Sequence, residues 1–578
     1  MRAHARAVVL LCLLTTAVAA WAQQPPEGEG RPEDQAEGDA APPPIVGVPD
    51  DLAPRTGTAG DEPQLRAPVP QPMPRRVEAR VPARAWLPAG WRAAPVDGVD
   101  DADLVKRALA LESVGLWADA QGALRAAARA GLGDLGVEAG RRADAIADLE
   151  LAQEYALQRK GKPAKAAWST AVRMLERQEQ TPGWPIRPAL AAQMAAVGAR
   201  IGETKAATPW LLRSRSAVGF SAAVAASAFD RSQRVRSARC IGGVDASAAT
   251  DVVRLRSGTA LAVGHGGLGD DEQVWFWQID ALGRPGRAGS FGAAGPDAAQ
   301  AAMAWNDGAW LAGRTTGPGG GDALILRLDG QLRPVAQHDL DLGGAERAVA
   351  LLTDADGTPW ALVEGDVADP SGPGKVAWLV ALRDDGTPRK QVMIPLGRSG
   401  FVTSTALDKE AILLGGGRGP GEAAGGLLRT VNSGSATLVD DEGPSFPGPI
   451  LAMALQAKGA VLAIGRQGDG NAGKLWWGGR DVKRRWLPGK AIGPSIQAER
   501  AGLLPGKRGA LLWTSGGPDG DPAGAVYALT GGKAKALARL EGFRPSAALV
   551  EGKDALLVGA ARGCGRAGVD AAVVRVGL

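Results

Sequence analysis

The chain has 578 residues, and 66 Lys and Arg against 62 Asp and Glu give it a formal net charge of +4. Hydrophobic residues (45%) and charged residues (22%) occur near globular averages, which excludes a wholly disordered chain, and the small charge excludes a nucleic-acid-binding footprint. With only 3 His and 3 Cys, chemistry that depends on histidine is disfavoured. We therefore predict no cofactor and no metal site.

Residues 1–22 carry the three parts of a secretory signal peptide. Arg2 and Arg6 precede an apolar run from Ala7 to Ala20, and the sequence AWA ends this segment before Gln23. The run of 14 residues is too short to cross a hydrocarbon core of roughly 30 Å. We expect an exported protein without a transmembrane segment in the mature chain, and the sequence leaves open whether it stays in the periplasm or is secreted to the cell surface or medium.

The next segment, residues 23–100, contains 16 Pro and almost no apolar runs. Such a composition cannot bury enough apolar surface to offset the conformational entropy that ordering removes. The segment is predicted to be a disordered, Pro-rich linker.

Residues 101–204 change to alanine-rich runs with a period near 3.6, which predicts a helical module. The stretch LVKRALALESVGLWADAQGALRAAARAGL resembles a tetratricopeptide repeat, with a turn at Gly115, and a second hairpin surrounds Gly161. The two glycines are 46 residues apart, which is longer than the strict 34-residue repeat. We predict five helices in stacked antiparallel hairpins, followed by a connector over residues 205–228.

From residue 229 onward the chain repeats itself. Seven short β-type runs end in a glycine in the same context, at spacings of 49, 52, 51, 49, 51 and 43 residues. These glycines are Gly264, Gly313, Gly365, Gly416, Gly465, Gly516 and Gly559. Around each lie four strand patterns joined by tight turns, several of them Asp-Gly or Ser-Gly, which are typical of β-hairpins. The period predicts a mainly β fold, a seven-bladed β-propeller over residues 229–578.

The segments GGDALILRLDGQLRP and LLTDADGTPWALVEG resemble the loosely defined propeller repeats of exported bacterial proteins. That resemblance implies the fold and a binding platform, and it implies no reaction. The signatures of WD40 blades and the tryptophan-docking motif of quinone-dependent dehydrogenases are not found.

The last repeat ends at Leu578 with only three strands. Its missing outer strand is expected from the segment just before the first blade, residues 231–241, because this pairing removes an open sheet edge. The pairing brings Cys240 to the same end of the same blade as Cys564. In an oxidising compartment we therefore predict a disulfide between them.

One set of charged residues follows the repeat, adjacent to or within three residues of the glycine that ends each second strand. The predicted binding residues are Arg314, Arg418, Arg466, Arg562 and His265, and Asp366 occupies the third repeat. On one rim of a propeller they would attract a carboxylate, a phosphate or an acidic protein surface. The alternative is that these arginines only cap exposed strand ends.

No catalytic residue is predicted. Two GxGxxG matches lie between strands of a blade rather than between a strand and a helix, and neither a phosphate-binding loop nor a GxSxG motif occurs. The sequence favours a protein-interaction scaffold of the cell envelope or the medium, with an envelope protein or an acidic ligand as its partner. A propeller enzyme acting on a glycan, either a lyase or a glycoside hydrolase, is the alternative.

Overall fold

The computed structural model describes residues 103–578, except for 114, 215–227, 229–233, 243–246, 268–271, 293–294, 317–320, 343, 370–371, 398, 410, 418–425, 440–445, 469–472, 484, 494–495, 497, 507–508, 517–522 and 565–568. The predicted signal peptide and linker lie outside the described residues, as does most of the predicted connector. All described residues belong to one unit, Ala67–Leu578.

The N-terminal part of this unit is a helical module. Its described helices are α1 (Leu104–Ser113), α2 (Trp117–Arg129), α3 (Asp134–Leu157), α4 (Gly161–Glu179), α5 (Pro188–Arg200) and α6 (Thr204–Arg213). The first five of these helices correspond to the five predicted over residues 101–204, and α6 is an additional helix in the segment predicted as connector. Pro209 makes that segment look like a loop in the sequence, yet it is tolerated inside α6, where Trp210 packs into the core with 1% exposure.

The core of the helical module is built from alanines and buried tryptophans. Trp168 of α4 packs against α5 and donates its indole N–H to the carbonyl oxygen of Met194 at 3.0 Å. Gly198 makes room for this ring, since a Cβ there would lie 2.6 Å from Trp168. Trp117 and Trp184 are also buried, so these tryptophans serve core packing rather than an open groove.

Within the described residues, 28 strands form seven sheets of four strands each, which is a seven-bladed β-propeller. Within a blade, consecutive strands pair antiparallel. The first strands of neighbouring blades pack on one another, which places them at the inner side of the ring.

Blades 1 to 3 have the following strands: β2 (Ser247–Arg254), β3 (Ala260–Gly266), β4 (Gln273–Ile279) and β5 (Pro285–Phe291); β6 (Ala298–Trp305), β7 (Gly308–Thr315), β8 (Asp322–Leu328) and β9 (Pro334–Leu340); β10 (Glu346–Thr353), β11 (Pro359–Asp369), β12 (Gly372–Leu382) and β13 (Pro388–Gly397).

Blades 4 to 6 have the following strands: β14 (Phe401–Asp408), β15 (Ala411–Gly417), β16 (Gly426–Asn432) and β17 (Thr437–Val439); β18 (Ile450–Leu455), β19 (Val461–Gln467), β20 (Lys474–Arg480) and β21 (Trp486–Ala491); β22 (Arg500–Gly506), β23 (Gly509–Gly516), β24 (Ala523–Thr530) and β25 (Lys533–Glu541).

Blade 7 closes the ring with strands from both ends of the propeller sequence. It contains β26 (Phe543–Glu551), β27 (Asp554–Arg562) and β28 (Val569–Gly577), and its outer strand is β1 (Val235–Cys240). β1 pairs antiparallel with β28, with Cys240 opposite Ala572. The predicted origin of this strand is confirmed.

The disulfide between Cys240 and Cys564 is also confirmed, with a Cα–Cα distance of 5.5 Å. It joins residues 324 positions apart in the sequence and fixes the outer strand of blade 7 to the loop after β27. The helical module packs on this blade, because Leu111, Leu116 and Ala120 share a hydrophobic cluster with both cysteines.

Ion pairs and a hydrogen bond extend the contact between the helical module and the propeller. Glu150 of α3 pairs with Arg239 of β1, and Glu154 pairs with Arg284 of blade 1 at 2.9 Å. Arg200 of α5 donates Nε–H to the carbonyl oxygen of Val235 at 3.2 Å. Among the described helices, none combines the length and the apolar character needed to cross a bilayer.

Candidate functional site

The strand register defines which residues are equivalent between blades. In six blades the first strand carries a bulge, and the residue just before the bulge gives a common reference. These reference residues and their second-strand partners are Ala249 and Gly264, Ala299 and Gly313, Ala348 and Val363, Val402 and Gly416, Ile450 and Gly465, and Pro545 and Gly559.

This register corrects the sequence alignment in blade 3. Gly365 was aligned with the glycines that end the other second strands, but Val363 occupies their position. Glu364, and not Asp366, is therefore the equivalent of His265 and Arg314. The error arose because a glycine happens to lie two residues further along the same strand.

Two of the predicted binding residues meet at the junction between blades 1 and 2. His265 Nδ1 and Arg314 Nη2 contact the two carboxylate oxygens of Glu272, at 2.5 and 2.7 Å. Glu272 precedes β4 and is largely buried, whereas the Arg314 side chain is half-exposed. The two basic residues thus share one carboxylate and face the rim together.

The other predicted arginines are dispersed. Arg466 and Arg562 belong to blades 5 and 7, where their backbone N–H groups donate to the carbonyl oxygens of Pro449 and Gly542. Arg418 lies outside the described residues. The structure brings only His265 and Arg314 into one group, and a functional ring of arginines stays a prediction.

A pocket of about 310 Å³ lies on the rim where blades 2, 3 and 4 meet. Its charged lining residues are Arg314, Glu346, Arg347, Glu364, Asp366 and Lys375, and Val376, Leu396 and Phe401 contribute its apolar wall. Arg347 pairs with Glu364 at 2.8 Å, and Lys375 pairs with Asp366.

The charges of this pocket differ in their exposure. The side chains of Arg314, Arg347 and Lys375 are 49%, 59% and 45% exposed, whereas that of Glu364 is only 9% exposed. Glu364 also accepts the backbone N–H of Val402 at 2.6 Å, which ties it to blade 4. A molecule entering the pocket therefore meets two guanidinium groups that largely buried carboxylates hold in place, and an ammonium group whose partner, Asp366, is itself 51% exposed.

A second cluster adjoins the pocket and consists of carboxylates. Asp322 begins β8, Asp341 follows β9 and Glu346 begins β10, and one carboxylate oxygen from each lies within 4.8 Å of the others. Asp322 and Glu346 are 6% and 3% exposed, and Asp341 is exposed. We call these three residues the acidic cluster.

Two oxygens of the acidic cluster have no hydrogen-bond partner in the part of the chain that the structure describes, Oδ1 of Asp322 and Oε2 of Glu346. Glu346 Oε1 accepts the N–H of Gly344 at 2.6 Å. A buried carboxylate oxygen without a donor costs free energy, because it has lost its water. Each such oxygen needs an explanation.

The pKa values of Glu346 and Asp322 are raised, as expected for buried carboxylates that lie close together. Burial raises the pKa of Glu346 to about 7; the backbone N–H groups of Gly344 and Leu342 oppose the rise, and the negative charges of Asp341 and Asp322 add to it. Burial also raises the pKa of Asp322, and the charges of Asp341 and Asp339 raise it further.

The positions of Asp322 and Glu346 in the repeat have equivalents at the junction between blades 7 and 1. Glu346 and Ser247 both lie two residues before the reference residue of their blade. Asp322 and Asp570 both lie two residues before the third-strand partner of the reference glycine, Leu324 or Ala572. The pair Asp322 and Glu346 between blades 2 and 3 thus corresponds to Asp570 and Ser247 between blades 7 and 1.

The two pairs have different chemistry. The Ser247 hydroxyl donates to Oδ1 of Asp570, which also accepts the N–H of Ala571 at 2.7 Å. At the corresponding pairs between blades 1 and 2 and between blades 3 and 4 the residues are Gln273 with Asp297 and Val376 with Gly400. Of these four described pairs, only the one between blades 2 and 3 combines two carboxylates.

Sequence reasoning missed the acidic cluster. Its signal is the sequence DLDLGGAE at 339–346, together with Asp322 after a glycine run. The three residues belong to three different strands or connections of two blades, so no single motif holds them.

Comparisons with known proteins do not assign the chain to a family. No family model matches the chain, and no curated protein sequence matches it. Among solved structures, the WD40 domain of Toxoplasma gondii coronin is 10% identical with a TM-score of 0.37, and the match covers 59% of this chain and 86% of that one. Chaetomium thermophilum Sqt1 bound to the N-terminus of ribosomal protein L10 is 14% identical with a TM-score of 0.35 and coverages of 55% and 85%. Synechocystis apocarotenoid oxygenase is 11% identical with a TM-score of 0.33 and coverages of 56% and 86%. These similarities are too low to carry an argument about function.

Proposed function

We propose that this protein is an exported protein-interaction scaffold that binds an acidic segment of an envelope or secreted partner in the pocket between blades 2, 3 and 4. The observation that carries this proposal is the asymmetry of exposure in the pocket. The side chains of Arg314 and Arg347 are 49% and 59% exposed, while the glutamates that orient them, Glu272 and Glu364, are largely buried. The third cation, Lys375, pairs with Asp366, and both of these side chains are about half exposed.

The arginines keep donors for a ligand. Arg314 uses Nη2 for Glu272, and Arg347 uses Nε and Nη2 for Glu364. A guanidinium has five N–H donors in a planar fork that matches a carboxylate. Side chains already held by buried carboxylates also lose less conformational freedom on binding, which favours affinity.

The size and lining of the pocket favour a segment of a chain over a large cofactor. A volume of about 310 Å³ is near the lower end of the range for small-molecule sites, roughly 300–1,000 Å³. The apolar wall of Val376, Leu396 and Phe401 gives a place for one apolar side chain beside the acidic group.

The disulfide between Cys240 and Cys564 supports the exported location, because such bonds persist in oxidising compartments. The helical module offers a second surface in this proposal. Leu132, Leu135 and Val137 are 43%, 53% and 53% exposed within one turn region at the start of α3. A chain carrying L135S and V137S tests whether a partner needs this surface.

The enzyme alternative requires two carboxylates that are free to act on a sugar. Glu364 and Glu346 both line the pocket, but the two oxygens of Glu364 accept from Val402 and Arg347. This arrangement makes Glu364 an orienting group for Arg347, and it favours the scaffold as the primary proposal.

Capture from envelope extract with the mature full-length chain tests the pocket. The triple variant R314S/R347S/K375S should lose the partner that wild type retains, and wild type should lose it gradually as salt rises, because the contacts are charge-charge contacts at the surface. R466S/R562S is the matched control, since it removes two rim arginines that do not line the pocket. Equal capture by the triple variant and wild type would refute the proposal.

A further inference from the structure

From the acidic cluster we infer that the junction between blades 2 and 3 holds a divalent cation, Ca²⁺, bound by Asp322, Asp341 and Glu346. This inference goes beyond the proposed function and does not depend on whether the pocket binds a partner. Three features of the described residues carry it: the convergence of the carboxylates, the two buried oxygens without donors, and the contrast with the equivalent junction.

The convergence fits one ion. Ca²⁺ binds oxygen ligands at about 2.3–2.6 Å, so two oxygens on opposite sides of the ion lie about 4.8 Å apart. One oxygen each from Asp322, Asp341 and Glu346 lies within that separation of the others. Three carboxylates can therefore reach a common centre without moving the strands that carry them.

The ligand type selects the class of metal. All three side chains offer carboxylate oxygen, which suits Ca²⁺ and other hard cations, whereas zinc and copper sites favour histidine and cysteine. Mg²⁺ requires shorter bonds of about 2.0–2.1 Å and near-octahedral geometry, and it usually keeps several waters. An arrangement on three separate strands and connections suits the more flexible coordination of Ca²⁺.

The buried oxygens point to a ligand independently of the clustering. Glu346 and Asp322 are more than nine-tenths buried, yet Oε2 and Oδ1 find no donor among the described residues. The surrounding backbone is already committed: Gly344 N–H donates to Glu346 Oε1, and the N–H of Glu346 donates to the carbonyl oxygen of Gly321. A cation satisfies both oxygens and cancels the repulsion between the two carboxylates.

The contrast between junctions shows that the repeat itself does not require this cluster. At the junction of blades 7 and 1 the same two positions hold Asp570 and Ser247, and the Ser247 hydroxyl donates to one of the two carboxylate oxygens of Asp570. At the junction of blades 2 and 3 a glutamate replaces the serine, and Asp341 adds a third carboxylate. Among the four described pairs, the convergence of three carboxylates is thus a local feature of the junction between blades 2 and 3.

Calorimetric titration of the full-length protein, stripped of metal with a chelator, tests the inference. Wild type should bind one Ca²⁺ per chain, and it should bind Mg²⁺ more weakly. E346S and D322N should each weaken Ca²⁺ binding at least about tenfold, since each removes a charged ligand. E346S reproduces the Asp570 and Ser247 pair and should fold at least as well as wild type, so a loss of binding in this variant is not a loss of fold.

D570N is the matched control, because it changes the equivalent carboxylate at the other junction. It should leave Ca²⁺ affinity within about twofold of wild type in every preparation whose near-ultraviolet circular dichroism shows a folded protein. Terbium gives a second readout. Trp378 and the Cγ of Glu346 lie 3.0 and 3.1 Å from the position that a Cβ would take on Gly365, so Trp378 is close enough to sensitise terbium luminescence.

Ca²⁺ should quench that luminescence by displacing terbium, and E346S should abolish it. The inference is overturned if wild type binds no Ca²⁺. It is also overturned if E346S and D322N bind Ca²⁺ as wild type does, because the ion would then lie elsewhere on the chain.

Discussion

Two junctions between consecutive blades use the same positions of the repeat in opposite ways. Between blades 7 and 1, Asp570 accepts a hydrogen bond from the Ser247 hydroxyl, and the disulfide Cys240–Cys564 fixes the outer strand of blade 7. Between blades 2 and 3, Asp322 faces Glu346, and two buried carboxylate oxygens have no donor among the described residues. The first junction pairs a carboxylate with a hydroxyl, and the second brings three carboxylates together.

The difference shows how a repeat fold acquires a site without changing its backbone. Both junctions keep the same strand register, so the exchange of serine for glutamate alters charge and not architecture. A buried carboxylate stabilises a protein only when donors or a cation accompany it. At the junction of blades 7 and 1 the Ser247 hydroxyl is a donor from the protein itself. At the junction of blades 2 and 3 we infer that a cation from solution accompanies the carboxylates.

The largest effect should come from breaking the closure of the ring. The double variant C240S/C564S removes a bond that spans 324 positions, for which the chain-entropy model gives about 6 kcal/mol of unfolding free energy. Urea denaturation of wild type and variant measures the loss, and reduced wild type should match the variant. A loss below about 1 kcal/mol would show that β1 is held by strand pairing and helix packing alone.

The next effect comes from exchanging the chemistry of the two junctions. S247E places a second carboxylate against Asp570 and should lower the free energy of unfolding by about 3 kcal/mol, because a buried charge then lacks a partner. E346S should raise the stability of the metal-free protein by about 1 kcal/mol, since it removes a carboxylate oxygen without a donor. If S247E and E346S both change the free energy of unfolding only slightly and by the same amount, the two junctions do not differ in the cost of burying a carboxylate.

A third junction sharpens the comparison through its pH dependence. Asp251 of blade 1 accepts the N–H of Val252 and, at 2.8 Å, that of Ala302 in blade 2. Burial nevertheless raises the pKa of Asp251 from 3.8 to about 6, against the effect of those two donors. At the equivalent place in blade 4, Ser404 accepts the N–H of Met453 at 2.8 Å without carrying a charge.

The sign of the effect follows from proton binding. Between pH values near 3.8 and 6 the folded state holds a proton on Asp251 that the unfolded state has lost, so this residue makes the protein less stable as the pH rises. D251S, which copies blade 4, should therefore gain about 2 kcal/mol relative to wild type between about pH 4 and pH 8, allowing for partial exposure of the carboxyl. Thermal unfolding of both proteins across this range measures the gain. A constant difference would show that Asp251 does not titrate as described.

Much of the fold could be predicted from the sequence. The even spacing of glycine-terminated strands predicts seven blades, and the missing strand of the last repeat predicts both the source of β1 and the disulfide. These predictions were confirmed because they depend only on the number of strands in each repeat and on the direction in which each strand runs. The sixth helix was missed because Pro209 breaks the helical pattern, while the burial of Trp210 that stabilises α6 is a tertiary effect.

The site was less predictable for a physical reason. Register decides which side chains share a position, and the glycine pattern of the sequence does not always follow the register. In blade 3 the glycine lies two residues further along the second strand, so Glu364 occupies the position where Asp366 was expected. The acidic cluster combines residues of two blades, and only their three-dimensional pairing shows that Glu346 lies opposite Asp322 rather than on a solvated turn.

A crystal structure of the full-length protein grown with Ca²⁺ tests the central claim most directly. We expect one ion with oxygen ligands from Asp322, Asp341 and Glu346 at about 2.3–2.6 Å, and no ion at Asp570 and Ser247. Density for a water molecule or a direct carboxyl-to-carboxylate hydrogen bond between Glu346 and Asp322, without an ion, would contradict the claim.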